Sequence, residues 1–299
     1  MLEMKSKNNK SKSHFSRRDF LKLLKIIGLE SLLLSIGGGL YIRAYEPSWV
    51  EIKELTLSLP RLDKSFSGLR IAQISDLHFG GWMTTERLYD IARLVLEQSA
   101  DIVVITGDFV MGYDYFPGLV EKLDGMAGAL KLITDRSLTL GVLGNHDYWL
   151  DPNLVVDMVH QAGIKVLRNS IHTYVRGNHT LHFAGIDDAL VYHSRMSKLL
   201  PLLPDEGCAV VLVHEPDYAD YSAGTGRFDL QLSGHSHGGQ VVLPFIGAPV
   251  LPHMAHKYPS GLYQVKDMYQ YTNRGVGMTP PYVRFNCRPE ITVFTLESS

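Results

Sequence analysis

Eight side chains able to hold a metal or move a proton recur in five short stretches of this 299-residue chain. They are Asp76 and His78, Asp108, Asn145 and His146, His214, and His235 and His237. Carboxylate, imidazole and amide oxygen together suit Mn, Fe or Zn rather than Mg or Ca alone. Eight such groups exceed the needs of one cation and fit two that share a carboxylate. Two cations about 3.5–4 Å apart lower the pKa of a bridging water and clamp the attacking and leaving oxygens of an in-line displacement. That chemistry serves phosphoester hydrolysis. Taken singly the stretches are weak signals, because Gly-Asp is common in turns and a strand-end histidine is usually structural. The segment Gly234-His235-Ser236-His237-Gly238-Gly239 is stronger, with two histidines at i and i+2 framed by glycines. Joint occurrence in order is what carries the reading.

Each stretch follows a short apolar run: Leu69–Ser75, Asp101–Thr106, Leu138–Leu143, Ala209–Val213 and Asp229–Ser233. Runs this short and apolar read as buried strands. Helices are expected between the early ones. One runs from a Thr84 or Thr85 cap to Ser99, and a second from Pro117 to Leu132. A third has Asp151 as cap, Pro152 at its first position and Gly163 past its end. Val50–Leu59 reads as an edge strand, and Thr173–Val175 against Thr180–Ala184 as a hairpin around Gly177-Asn178. Strand–helix alternation predicts an α/β sandwich with a largely parallel core, and sites in such sheets form at the carboxyl ends of strands.

The ordered series D-x-H, GD, GNHD, H and GHSHGGQ, over about residues 69–245, resembles the calcineurin-like metallophosphoesterase family. The stretches Tyr271–Gly277 and Asn286–Glu290 are similar to its bacterial branch of exported or membrane-bound enzymes, which includes twin-arginine-exported phosphodiesterases and relatives of UDP-2,3-diacylglucosamine pyrophosphatases. The resemblance implies a four-layer α/β/β/α sandwich with two divalent metal ions (Mn, Fe or Zn). It implies Asp76, His78, Asp108 and His237 around one metal, and Asp108, Asn145, His214 and His235 around the other, with Asp108 bridging. It gives His146 and Asp108 catalytic roles, with His146 and Asn145 reaching the substrate phosphoryl group. Many family members carry Asp three residues after the bridging Asp, where it orients the catalytic histidine; here Met111 stands there. Either Asp147 or one of Asp187 and Asp188 substitutes, or His146 is unsupported. Arg274 is a candidate phosphate contact, since guanidinium binds phosphate oxygens bidentately. His253 and His256 read as loop histidines.

The rest of the composition narrows the alternatives. With 45% apolar and 20% charged residues the chain is neither disordered nor collagen-like. Cys208 and Cys287 are too few for a disulfide scaffold or a Cys-rich metal site, although they could pair outside the cell; Cys287 beside Arg288 is as readily buried and free. Residues 1–25 carry eight Lys/Arg and two acids. The remainder therefore carries 21 basic against 29 acidic residues, a net −8. So acidic a body argues against nucleic acid as partner, and hence against a nuclease, the competing enzymatic reading. A non-catalytic scaffold on the same fold would lack ligands that are all present here.

The basic charge precedes an apolar stretch, Ile26–Ile42, interrupted by Glu30. That order is expected of a signal peptide or signal-anchor helix. Ser16-Arg17-Arg18-Asp19-Phe20-Leu21-Lys22 matches a twin-arginine export signal, which engages the export machinery. No clean cleavage site follows Gly37–Gly39, so anchored and released forms both stand. The domain reading is residues 1–45 as signal or anchor and 46–299 as the catalytic domain, placed at the outer face of the cytoplasmic membrane. The phosphoester substrates expected there include lipid-linked molecules.

Overall fold

The computed structural model describes residues 37–112, 118 and 122–299. The twin-arginine motif and most of the expected anchor lie outside these residues. Among the described residues no helix is long and apolar enough to cross a membrane.

Among the described residues, twelve strands form two six-stranded sheets. The first comprises β1 (Glu51–Leu59), β2 (Leu69–Ile74), β3 (Ile102–Thr106), β4 (Leu138–Val142), β5 (Lys165–Val166) and β12 (Glu290–Ser298), in the order β1-β12-β2-β3-β4-β5. The second comprises β6 (Ser170–Arg176), β7 (His179–Gly185), β8 (Cys208–Leu212), β9 (Leu230–Ser233), β10 (Gly261–Val265) and β11 (Met268–Thr272), in the order β10-β11-β9-β8-β7-β6. β2, β3, β4 and β5 are mutually parallel, as are β7, β8, β9 and β11. β1 is the expected edge strand, and β6–β7 is the expected hairpin.

The continuous apolar runs are explained by burial on both faces. In β3, Ile102 and Val104 enter the core between the sheets, while Val103 and Ile105 face the helices. In β8, Val210 and Leu212 face inward, while Ala209 and Val211 pack outward. Each fully buried aliphatic side chain contributes about 1.5–3 kcal/mol. Helices α1 (Thr85–Glu97), α2 (Leu123–Thr134) and α4 (Pro152–Gln161) cover the first sheet, with Leu88, Ile91, Met126, Ile133, Val155 and Val159 in one core. Short helices α5 (Met196–Leu199) and α6 (Ala219–Gly224) cover the second through Met196, Leu199, Ala219 and Ala223. The layers are therefore α/β/β/α, as expected.

Local signals act where they were read. Thr84 Oγ1 accepts the Arg87 amide at the start of α1, and Asp151 accepts those of Asn153 and Leu154 ahead of Pro152. Gly163, at φ 89°, ends α4 in the left-handed conformation that glycine adopts without strain. Helix α3 (Asn145–Leu150), a single short element that starts on the GNHD motif itself, was not anticipated. A polar tie sits between the sheets below the carboxyl edge. Gln73 Nε2 donates to Thr106 Oγ1 (3.0 Å) and across to Ser233 O (2.9 Å), linking β2 and β3 to β9. It fixes the register of the two edges that carry the site.

Candidate metal centre

All eight candidate side chains converge at the shared carboxyl edge of the two sheets, and all are buried. The first sheet supplies Asp76 and His78 after β2, Asp108 after β3, and Asn145 and His146 after β4. The second supplies His214 after β8, and His235 and His237 after β9. Their donor atoms form two adjoining clusters, Asp76–His78–His237 and Asp108–His214–His235, and a third group, His78–Asp108–His146, overlaps both. Asp108 joins them: its Oδ2 lies 3.5 Å from His78 Nε2 and 3.2 Å from His214 Nε2. On the first side, His78 Nε2 and His237 Nε2 are 2.9 Å apart, and His237 Nε2 is 3.4 Å from Asp76 Oδ1. On the second, His235 Nδ1 is 3.2 Å from His214 Nε2.

Backbone acceptors fix which ring nitrogen faces inward. His214 Nδ1 meets Thr106 O at 2.7 Å, and His235 Nε2 meets His253 O at 2.9 Å. A carbonyl can only accept, so each of those nitrogens carries a proton, and the opposite one faces the centre. His253 therefore serves through its backbone.

The electrostatics suit cations. Burial, reinforced by neighbouring imidazoles, holds His78 and His237 well below the ordinary imidazole range and lowers His235. Burial opposes ionisation of Asp108, yet the facing rings of His214 and His146 hold its carboxyl well below the usual carboxylate range. Burial likewise opposes a charge on His214, but the Asp108 carboxylate holds its proton well above the ordinary value. A proton on His214 is thus the counter-charge that a cation would replace. Among the described residues, buried Asn145 Oδ1 has no hydrogen-bond partner, and Asn145 lines the cleft onto which the centre opens. Neutral imidazole nitrogens, ionised carboxylate and an orphaned amide oxygen fit divalent metal ions.

The backbone is bent to reach this arrangement. Asp76, His78, Asp108, His235 and His237 take φ values of 51°, 46°, 54°, 68° and 51°. Left-handed conformation costs a non-glycine residue about 1–2 kcal/mol, and such strain concentrates at functional sites. Two glycines are required by contact. A Cβ on Gly144 would lie 2.3 Å from Asp108 Oδ1, and one on Gly234 would lie 2.4 Å from Asp76 Oδ2. The motif showed these glycines, but only the three-dimensional contact explains them.

His146 is oriented differently from every expected alternative. Its Nδ1 meets the backbone carbonyl of Met111 at 2.8 Å, and its amide donates to Asp108 Oδ1 at 2.9 Å. Asp147 instead clamps two loops, accepting Val110 N and Gly144 N. Burial, with the neighbouring Asp108 carboxylate, pushes its carboxyl up to about 8. Asp187 pairs with Arg168 at 2.9 Å, and Asp188 accepts the Val191 amide. Met111, at the position where the resemblance implies an aspartate, thus meets His146 through its main chain.

Arg274 does not reach the centre as a phosphate contact. Its guanidinium is held by Glu290 and Glu51, each at 2.5 Å, and it is absent from the cleft wall. Cys208 and Cys287 are both buried and free.

The centre opens into a cleft of about 660 Å³ whose wall is largely apolar, including Met111, Trp149, Leu190, Val241, Val250 and Val283. The Trp149 ring lies 4.3 Å from that of His146. None of the described residues lining the cleft is Lys or Arg.

Comparison with known proteins finds relatives in sequence. Residues 69–239 match the calcineurin-like phosphoesterase family. The chain is 35% identical over 291 residues to the uncharacterized metallophosphoesterase YkuE of Bacillus subtilis, covering 95% of this chain and 98% of that one. It is 28% identical over 284 residues to the phosphodiesterase YaeI of Escherichia coli, covering 94% and 99%. Among solved structures, TT1561 of Thermus thermophilus is similar with a TM-score of 0.47 and 13% identity, over 70% of this chain and 91% of that one. The chain belongs to the calcineurin-like phosphoesterases, metal-dependent hydrolases of phosphoester bonds.

Proposed function

We propose that this protein is a dinuclear phosphodiesterase or pyrophosphatase whose substrates carry an apolar, lipid-like group. One site would be held by Asp76, His78, His237 and Asp108, the other by Asp108, Asn145, His214 and His235. The observation that carries this is the position of Asp108 Oδ2 between His78 Nε2 and His214 Nε2. When bound, two divalent ions (Mn, Fe or Zn by donor type) supply Lewis acidity and an ionised water.

The side chains do the rest. Asn145 and His146 face the phosphoryl group from the start of α3. His146 donates Nδ1–H to Met111 O, which leaves Nε2 for the departing oxygen; the ring would carry a second proton there, pass it to that oxygen and return to neutral imidazole. A general acid of this kind contributes about 10²–10⁴-fold. The half-exposed Trp149 ring packs beside His146 in the cleft wall.

The apolar wall, without Lys or Arg among its described residues, supports a lipid-linked substrate over a nucleic acid, which needs a basic groove. The basic-then-apolar N-terminus supports export by the twin-arginine route, with residues 1–45 as signal or anchor and 46–299 as the catalytic domain at the outer membrane face.

The test is hydrolysis of an aryl phosphodiester and of a lipid-linked diester in Mn by wild type, Asp108→Ala and His146→Gln. The expected result is loss of metal and activity in Asp108→Ala. His146→Gln should keep its metal and lose 10²–10⁴-fold in kcat. Equal activity in all three proteins would defeat the proposal.

A further inference from the structure

The cleft rim carries apolar residues that none of the described residues covers. Leu230 to His256 is a run of 27 residues without a single Asp, Glu, Lys or Arg, in a chain that is 20% charged. Part of it buries the centre, but its far end stands out from the body. Leu243 N donates to Gly247 O and Gly247 N to Leu243 O, closing a tight turn that holds Pro244, Phe245 and Ile246 at its tip. Phe245 is fully exposed and takes φ 65°, while Ile246 and Val250 are 74% and 73% exposed. A bulky aromatic that is both left-handed and solvated is unfavourable twice over in water.

A second apolar feature is tied to the same segment of chain. Val242 N donates to Phe285 O, and Arg284 N donates to Ile42 O, so residues 284–285 connect the rim turn to the helical turn Tyr41–Tyr45. That turn and the residues after it present Tyr41, Tyr45 and Trp49 at four-residue spacing. Their rings are 5.6 Å apart in each successive pair, and all three are exposed. Exposed Tyr and Trp rows are the anchors that proteins place at membrane–water interfaces. The apolar stretch Ile26–Ile42, interrupted by Glu30, leads into them in the sequence. Cys287 N donates to the buried Glu46 carboxylate, and the Arg288 guanidinium lies over the Trp49 ring at 3.9 Å. The row is therefore fixed to the body rather than hung from a linker.

We infer that the Leu243–Val250 rim is a membrane-contacting surface: Phe245 and Ile246 enter the acyl boundary of a bilayer, and the cleft opens onto lipid. The aromatic row sits at the headgroup level beside it. The partner is the bilayer itself, engaged through apolar area, because the acidic body gives no attraction to anionic headgroups. The inference deepens the lipid-linked reading above by giving the substrate a route from the membrane into the apolar wall. It does not depend on hydrolysis.

The test uses the full chain in phosphatidylcholine vesicles. Both native cysteines are buried, so a bimane probe can be placed at Ile246→Cys, or at Val175→Cys on the exposed β6–β7 hairpin at the opposite edge of the sheet. Brominated-acyl lipids are expected to quench the Ile246 probe at least fivefold more than the Val175 probe, with iodide showing the reverse order. Equal access of iodide to both probes overturns the inference. So does shielding of the Ile246 probe from iodide with no quenching by bromolipid, which would mean a second copy or the chain's own N-terminus covers the rim. In a second arm, the Phe245→Ser/Ile246→Ser variant should keep wild-type turnover of a soluble aryl phosphodiester and lose tenfold or more on a diester embedded in vesicles. An unchanged ratio overturns the inference. If wild type hydrolyses neither diester, the proposed function fails and the quenching result still decides this one.

Discussion

Gly144 offers the sharpest perturbation of the centre. Its backbone, φ −116° and ψ 179°, is ordinary extended conformation that alanine adopts without strain. The whole effect of Gly144→Ala therefore comes from its methyl group. That carbon would lie 2.3 Å from Asp108 Oδ1 and 2.7 Å from His214 Nε2. Side-chain carbons do not approach closer than 3.0 Å, so the Asp108 carboxylate must move by about 0.7 Å or more. Asp108 is pinned by the His146 amide and by the rings on both sides, so a shift there disturbs both clusters at once. Misplacement of about 1 Å at a reacting centre costs roughly 10²-fold, or about 2.7 kcal/mol of barrier. The assay is kcat/KM on an aryl phosphodiester in Mn, with elemental analysis and circular dichroism on the same samples. A fall of about 10²-fold with reduced metal and unchanged secondary structure is expected. Activity within threefold of wild type at full metal content would refute the claim that this contact sets the Asp108 position.

Met111→Ala removes the side chain but keeps the carbonyl that holds His146, so kcat and the acid limb of the pH–rate profile should stay within about threefold; a collapse would return the orienting role to a side chain. Arg274→Ala should act on stability instead of phosphate binding. It strands the buried Glu290 carboxylate, at a cost of about 3 kcal/mol by denaturant unfolding. The KM for a soluble diester should be unchanged, and a large rise in KM would restore Arg274 as a substrate contact. Chelation should lower the midpoint of thermal unfolding. Restoring Mn at about 1,000 times its Kd should add about 4 kcal/mol of stability, and a midpoint indifferent to metal would contradict the buried donor set.

The centre was legible because each ligand closes an apolar run, and runs buried on both faces look alike in either sheet. The topology then brings their carboxyl ends to one edge. What escaped the sequence was work done by the main chain. The Met111, Thr106 and His253 carbonyls orient three rings, and a carbonyl leaves no mark in residue type. Arg274 was misread because its partners, Glu51 and Glu290, lie 223 and 16 residues away and meet it only once β1 and β12 pair. The run Val241–Leu251 is free of charged residues, and its tip is among the most exposed apolar surface described. Hydrophobicity alone cannot tell a face that packs on protein from one that packs elsewhere.

The most direct measurement is anomalous diffraction from crystals of the full chain grown with Mn. Two peaks about 3.5–4 Å apart, one on each side of Asp108, are expected. A single peak, or none within reach of Asp108, would contradict a shared carboxylate at the heart of the site.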